Sequence, residues 1–172
     1  VGKPLASGRA AAAYGLSAAV AAQVAAAIRT DESDTGGIGG TLAGNALSLA
    51  AMRVTLESVL TDAAFAHMIA MAERFTAGVQ AAIDAHQLPW IVQRLGCRAE
   101  YWFRGDLPRN GGEAAASIDG DLARYMHLAC LNRGILMTPF HNMALMCPAT
   151  SAADVDLHTA VFRELVAGLA AR

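Results

Sequence analysis

Residues 90–103 read Trp-Ile-Val-Gln-Arg-Leu-Gly-Cys-Arg-Ala-Glu-Tyr-Trp-Phe. Two short runs, Trp90–Leu95 and Arg98–Phe103, are rich in β-branched and aromatic residues and flank Gly96. This pattern predicts two strands joined by a turn. On the N-terminal side, apolar residues recur at helical spacing over 62–87, which predicts a long helix. The hairpin is therefore expected to follow a helix directly in the chain.

Further segments continue this alternation of helix and strand. The apolar positions of 118–129 predict a helix that ends at Gly134. Ser151-Ala-Ala-Asp154 is a variant of the capping box and predicts the start of a last helix. Short apolar runs at 135–137 and 143–146 predict strands. Strands that alternate with helices indicate an α/β or α+β domain.

The first part of the chain has a different character. It predicts a short strand of small residues over 10–15 and helices over 17–29 and 43–60. Apolar residues surround the last of these helices almost completely, so we expect it to be buried. These segments do not make a self-contained unit. We expect 1–60 to finish a larger domain and 61–172 to form a small C-terminal domain.

Composition and charge exclude several classes of protein. The chain has 172 residues, of which 55% are hydrophobic and 16% charged, so it is not expected to be disordered. A net charge of −2 and scattered arginines provide no electrostatic surface for nucleic acid. The apolar stretch 10–28 consists mostly of alanine and contains polar residues. We therefore expect no membrane span there.

The cysteines predict neither a disulfide framework nor a metal site. Cys97, Cys130 and Cys147 are an odd number at wide spacing, which fits small buried side chains in a reducing cytoplasm. His127 and Cys130 lie three residues apart on a predicted helix, but no further ligand has a fitting spacing. We therefore predict no metal site and a cytoplasmic protein.

Lys3 is the only lysine of the chain, beside twelve arginines. It lies among small residues in 1–8, which would let another molecule approach the backbone closely. A lysine amine forms a Schiff base with an aldehyde, so Lys3 is a candidate catalytic residue. The alternative is that it is a solvated surface lysine.

A glycine-rich run occupies 36–45 and directly precedes a predicted helix. Exposed backbone N–H groups, the Thr41 hydroxyl and the positive helix end could together bind a phosphate. A flexible linker would have the same composition, and both interpretations stay open. An amine and a phosphate site together are what pyridoxal phosphate requires.

Four segments of the chain resemble one family. Residues 2–15 (Gly-Lys-Pro-Leu-Ala-Ser-Gly-Arg-Ala-Ala-Ala-Ala-Tyr-Gly) and 39–46 (Gly-Gly-Thr-Leu-Ala-Gly-Asn-Ala) resemble the cofactor-lysine and phosphate segments of class III, fold type I aminotransferases. Residues 133–140 and 149–156 are similar to the C-terminal region of glutamate-1-semialdehyde aminomutase and its transaminase relatives. The resemblance covers essentially the whole chain.

The resemblance implies a fold and a set of roles. The fold would be the C-terminal part of a fold type I pyridoxal-phosphate-dependent transferase. Lys3 would hold the cofactor as a Schiff base and then move a proton. Gly40 and Thr41 would bind its phosphate, Thr41 from the neighbouring subunit, which implies a homodimer with shared active sites. The partners would be a small-molecule amino donor and a keto acceptor, and His141 would contact the substrate.

The chain also departs from the family pattern. No arginine for a substrate carboxylate is present at 143–146, and His141 replaces a glutamate of the aminomutase branch, which argues against strict semialdehyde aminomutase activity. Family members are much longer, and the chain begins in mid-motif without methionine, so we expect a fragment that is inactive alone. An aminomutase and a non-catalytic assembly domain that retains the fold remain alternatives.

Two further pairs of residues have open interpretations. Arg98 and Arg104 flank the second predicted strand of the hairpin. They are expected to be solvated, although one could bind a substrate carboxylate. Tyr101 and Trp102 within that strand are expected to be core or interface aromatics.

Overall fold

Four stretches of the chain are described in the computed structural model: residues 2–6, 8–29, 42–138 and 141–170. The chain divides into two units, Val1–Thr61 and Asp62–Arg172. The boundary lies after residue 61, and the assignment of the first unit to the end of a cofactor domain stays a prediction.

The second unit is built on a three-stranded antiparallel sheet. Its strands are β1 (Ile91–Leu95), β2 (Arg98–Trp102) and β3 (Met143–Leu145), in the order β1-β2-β3. Gly96 has a φ of +58° in the turn between β1 and β2, a conformation that glycine adopts without strain. The predicted hairpin and the strand near residue 143 are confirmed. The strand predicted at 135–137 is wrong, because the run does not pair with the sheet.

Four helices accompany the sheet: α3 (Asp62–Ala85), α4 (Gly111–Ala116), α5 (Gly120–Leu131) and α6 (Ala152–Ala170). The capping box of α6 forms as predicted, since the N–H of Ser151 donates to the Asp154 carboxylate at 2.8 Å and the N–H of Asp154 donates to Ser151 Oγ at 3.2 Å. The short helix α4 has no counterpart among the predicted elements. Asn110 caps it, and its six residues are too few to show a helical period.

The core of the second unit lies between the sheet and helices α3 and α6, and α5 adds to it with Met126 and Cys130. The larger buried side chains of α3 and α6 are Met68, Phe75, Val79, Ile83, Val155, Val161, Phe162, Leu165 and Val166. Alternate residues of β2, Ala99 and Tyr101, face this core, as expected for a period of two. Arg98 and Glu100 therefore lie on the opposite face of the sheet, where they pair with Leu95 and Gln93 of β1.

The first unit is helical. A 3-10 helix (Lys3–Ala6) is followed by α1 (Ala18–Arg29) and α2 (Ala46–Val54), and α2 continues in a π-helical turn (Thr55–Val59). Both α-helices were predicted. The strand predicted over 10–15 is wrong, because these residues have no strand partner within the described part of the chain.

The expected burial of the helix over 43–60 is also wrong for this chain. Ser48 and Thr55 are its buried residues, whereas most of its large apolar side chains are exposed: Leu47, Leu49, Val54, Leu56 and Val59. A helix that is apolar all round needs neighbours on every side. The described part of the first unit is too small to supply them.

Among the described residues, no single helix is both long and apolar enough to cross a membrane. Helix α1 is apolar but has only 12 residues. Two helical segments reach the length and composition of a membrane span only when they are counted together: Ala46–Val59 and Asp62–Ala85, which are separated by residues 60–61.

Candidate functional site

Lys3 begins the 3-10 helix of the first unit. The N–H of Leu5 donates to the carbonyl of Gly2 at 3.1 Å, and the N–H of Arg9 donates to the carbonyl of Ala6 at 2.9 Å. Pro4, which has no N–H, fits at the start of such a turn because no donor is required there. The structure thus places the backbone of Lys3 in an ordered turn, while its ammonium group lies outside the described part.

The predicted phosphate segment is described only from residue 42 onward. Gly40 and Thr41 lie outside the described residues. Asn45 caps α2, because its Oδ1 accepts from the N–H of Ser48 at 2.9 Å and its Nδ2 donates to the carbonyl of Leu42 at 2.9 Å. Gly44, with a φ of +68°, provides the left-handed turn before the helix. The end of the glycine-rich run is therefore held at the positive end of α2.

A hydrogen bond joins the first resembling segment, residues 2–15, to the first turn of α2, the helix that continues the chain after the second. The Ser48 hydroxyl, which is buried, donates to the carbonyl of Ala10 at 3.0 Å across 38 residues of sequence. A buried hydroxyl with a partner at this distance stabilises one arrangement of the two backbones. The structure therefore places the chain that follows Lys3 against the first turn of α2.

His141 lies in the second unit and lines a cleft of about 490 Å³. The floor of the cleft is the sheet face opposite the core, and the segment that joins α4 to α5 forms a wall. Its polar lining consists of Gln93, Arg98, Glu100, Ser117, Asp119, His141 and Asn142. Its larger apolar lining residues are Leu95, Trp102, Phe103 and Ile118. We call this site the sheet cleft.

Glu100 is the most buried charged residue of the sheet cleft, with 9% of its surface exposed. Its Oε2 accepts from Arg98 Nη2 at 2.7 Å, and its Oε1 lies 3.4 Å from His141 Nδ1. A carboxylate with so little exposure requires such partners, since an unpaired buried charge is costly. Glu100 therefore links the second strand to the loop that carries His141.

Arg98, the first residue of β2, and Arg104, which follows the strand, both bind carboxylates of this chain. Arg98 binds Glu100. Arg104 makes a two-point contact with Asp106, at 2.6 and 3.1 Å. This contact lowers the pKa of the Asp106 carboxyl below its usual range. Neither guanidinium is presented as an isolated cation to a substrate.

The remaining candidates fall in the core or beside it. Tyr101 is a core residue, as expected, and burial raises the pKa of its hydroxyl. Trp102 lines the sheet cleft, and its indole nitrogen is buried without a hydrogen-bond partner in the described structure. Cys130 is buried in the core, and no group of three or more His, Cys, Asp or Glu residues suited to a metal occurs among the described residues.

Two residues of these sites were not identified from the sequence. Glu100 is a charged residue in a strand of aromatics, two positions from an arginine, and that spacing on a strand places both side chains on one face. Ser48 carried no comparable signal, because its partner Ala10 is remote in sequence and contributes only a backbone carbonyl.

The comparisons with known proteins define the class of fold. The chain has the fold of the C-terminal part of a fold type I pyridoxal-phosphate-dependent transferase. A solved structure of a glutamate-1-semialdehyde aminomutase from Pseudomonas aeruginosa matches it with a TM-score of 0.83 and 48% identity, over 90% of this chain and 35% of the other. A second structure of that aminomutase, in complex with PMP, matches with a TM-score of 0.82.

More distant relatives agree with this assignment. A β-phenylalanine aminotransferase from Variovorax paradoxus matches over 99% of this chain and 38% of its own, with a TM-score of 0.81; at 23% identity this likeness concerns the fold. The glutamate-1-semialdehyde 2,1-aminomutase of Neisseria gonorrhoeae is 29% identical over 133 residues, or 77% of this chain and 31% of the relative. No family model matches the chain.

The family resemblance inferred from the sequence is thereby confirmed. The homologues of this chain are glutamate-1-semialdehyde aminomutases and class III aminotransferases. The chain spans about a third of the length of these relatives.

Proposed function

We propose that the protein containing this chain is a pyridoxal-phosphate-dependent aminotransferase. It would transfer an amino group between an amino acid or amine and a keto acid. The observation that carries the proposal is the 48% identity, over 90% of this chain, to an aminomutase whose structure holds PMP. Identity of that extent indicates a common cofactor and related chemistry.

The residues of the first unit fit such a cofactor. Lys3 is the chain's only side-chain amine, and an amine is the group that binds the cofactor aldehyde. The capped N-terminus of α2 provides a positive helix end beside the segment proposed to bind phosphate. The hydrogen bond between Ser48 and Ala10 supports the proposal, because it holds the chain that follows Lys3 against the first turn of α2.

Each residue would have a definite role. Lys3 would hold the cofactor and, once displaced by substrate, would carry the proton that leaves and returns at the substrate Cα. Gly40 and Thr41 would donate hydrogen bonds to the cofactor phosphate, and His141 would contact the substrate. The cofactor itself supplies the electron sink that makes the Cα proton acidic.

An aminomutase is the second candidate, and the names of the relatives at 48% and 29% identity favour it. His141 weighs against it, because a glutamate is expected there in that branch. An aminomutase moves the amino group within one molecule, so it needs no external keto acceptor. Turnover without an added acceptor would identify the aminomutase.

We also propose that the protein is a cytoplasmic homodimer in which Thr41 binds the cofactor phosphate in the active site of the neighbouring subunit. The cysteines of the second unit are free thiols, which supports a reducing compartment.

The test is cofactor labelling of the full-length protein. Pyridoxal phosphate is added, borohydride reduces the linkage, and mass spectrometry locates the label. We expect the label on the peptide that contains Lys3 and its loss in the variant Lys3→Arg, which keeps the charge but not the reactive amine. A protein that binds the cofactor without labelling Lys3 would be the non-catalytic assembly domain instead.

A further inference from the structure

The second unit contains another cleft, beside the start of α6. Its volume is about 260 Å³, and it shares no described lining residue with the sheet cleft. Phe75 of α3, Val155 and His158 of α6, and residues 135–138 and 143–146 line it. We call this site the histidine cleft.

His158 is the buried polar residue of the histidine cleft. Only 4% of its surface is exposed, and neither ring nitrogen has a hydrogen-bond partner in the described structure. The rings of Phe75 and Phe162 lie against the imidazole at interplanar angles of 35° and 23°. Rings at such low angles cover the faces of the imidazole, so its edge, which carries both nitrogens, is the part left to face the cleft. Buried polar atoms normally have a partner, and these two indicate a partner that the described residues do not supply.

The side chains around this histidine are mostly apolar and include two adaptable ones, Met137 and Met146. Methionine has three rotatable bonds and fills irregular gaps, so these side chains can move aside for a ligand that reaches the buried ring edge. An apolar cavity of about 150 Å³ is large enough for benzene. The histidine cleft therefore has room for a single ring with a substituent.

The polar chemistry of the cleft favours a neutral ligand. An ion of either sign would lose its hydration among apolar side chains. Asp154, the charged residue among the described lining, is exposed and already accepts from the N–H and the hydroxyl of Ser151, both at 2.8 Å. Neutral imidazole has one donor and one acceptor nitrogen, and a hydroxyl group both donates and accepts. A hydroxyl can therefore bind whichever nitrogen it meets.

We propose that the histidine cleft binds a small neutral molecule with an apolar body and one hydroxyl group, of about the size of phenol, and that the hydroxyl bonds to the ring of His158. The second unit contains every described residue of this site. The inference goes beyond the proposed function and does not depend on Lys3 or the cofactor.

The test compares phenol with toluene, which have nearly the same shape and differ by a hydroxyl in place of a methyl group. Each is titrated at neutral pH into the full-length protein, isotopically labelled at its methionine methyl groups and followed by NMR. Met146 lines the histidine cleft, whereas Met126 is buried in the core outside this cleft and is the internal reference. The variants Met146→Leu and Met126→Leu assign the two signals.

We expect a saturable shift of the Met146 signal with both probes and an unchanged Met126 signal. Phenol should bind at least as tightly as toluene, although toluene is the more apolar of the two. The variant His158→Leu keeps a similar volume without the nitrogens, and it should lower the ratio of phenol affinity to toluene affinity about tenfold, the factor for one hydrogen bond. A purely structural role of His158 would change both affinities equally. His86→Leu, outside the cleft, should change neither.

A second measurement keeps the test decisive if His158→Leu does not fold. The imidazole nitrogen signals of His158 are followed in the wild type and assigned through the contacts of its ring with Phe75. Phenol should shift one of them, and toluene should leave both in place. Tighter binding of toluene than of phenol, no saturable shift of Met146, equal shifts of Met126 and Met146, or an unchanged affinity ratio in folded His158→Leu would overturn the proposal. None of these outcomes bears on labelling of Lys3.

Discussion

His158 is a buried histidine whose protonation should destabilise the second unit. It lies in the core with 4% of its surface exposed, between Phe75 and Phe162, whose ring centroids are 4.5 and 5.9 Å away. Neither ring nitrogen has a hydrogen-bond partner in the described structure. Burial therefore lowers the pKa of His158 from 6.5 to about 4.

The sign of the effect follows from which state binds the proton more readily. Below pH 6.5 the unfolded chain protonates His158, whereas the folded chain does so only near pH 4. The contribution of neutral His158 to the free energy of unfolding is therefore present above pH 6.5 and is lost as the pH falls toward 4. One pKa unit corresponds to about 1.4 kcal/mol, so the loss is about 2 kcal/mol between pH 7 and 5 and about 3 kcal/mol by pH 4.

Urea unfolding at pH 7, 6 and 5 measures this loss. Both tryptophans of the chain, Trp90 and Trp102, belong to the second unit, so their fluorescence reports its unfolding alone. The variant His158→Leu keeps a similar side-chain volume without a titratable group. It should flatten the dependence of the free energy of unfolding on pH. His86→Gln, at a less buried position, should preserve that dependence.

Two results would refute the reasoning. One is a wild-type free energy of unfolding that changes by less than about 0.5 kcal/mol between pH 7 and 5, where about 2 is expected. The other is a pH dependence in His158→Leu equal to that of the wild type. Several surface carboxylates also have lowered pKa values. Their effect on the free energy of unfolding is confined to pH values below about 4.5, so it does not contribute to the change between pH 7 and 5.

Further predictions concern packing and thiol reactivity. A Cβ on Gly78 would lie 2.6 Å from the Thr159 side chain, so Gly78→Ala should destabilise by about 1–2 kcal/mol in urea unfolding despite its better helix propensity. The same change should be neutral or stabilising in a Thr159→Ala background, and equal costs in both would contradict the assigned contact. The Thr150 hydroxyl, 3.4 Å from the sulfur, lowers the pKa of the Cys147 thiol, whereas burial raises that of Cys130. Iodoacetamide should therefore alkylate Cys147 before Cys130, and Thr150→Val should lower the rate of Cys147 alkylation about two- to fivefold. An alkylation rate unaffected by Thr150→Val would show that the hydroxyl does not activate the thiol.

Elements with local signals were predicted well. The helix over 62–87 has a regular apolar period, the last helix has a capping box, and the hairpin has Gly96 between two strand-forming runs. Each of these signals involves residues close in sequence, so no knowledge of the fold was needed. Strands at 10–15 and 135–137 were predicted wrongly, because a strand forms only where a partner is available.

The sequence predicted the residues of the two candidate sites to different degrees. Lys3 stands out because its chemistry is unique in the chain, and Thr41 because its segment resembles a known one. Nothing local to Glu100 predicted the contact with His141, which lies 41 positions later. That contact arises from strand register and from the loop before β3.

The sequence by itself determined the helical periods, the caps, the hairpin turn and the family resemblance, since each depends on residue types at short spacing. Only the tertiary structure decided which face of the sheet is buried, how Ser48 joins α2 to the chain that follows Lys3, and how Glu100, Arg98 and His141 meet. These contacts join residues on different elements, or depend on which face of a strand is covered. Their geometry depends on how the elements pack, and short-range pattern does not encode it.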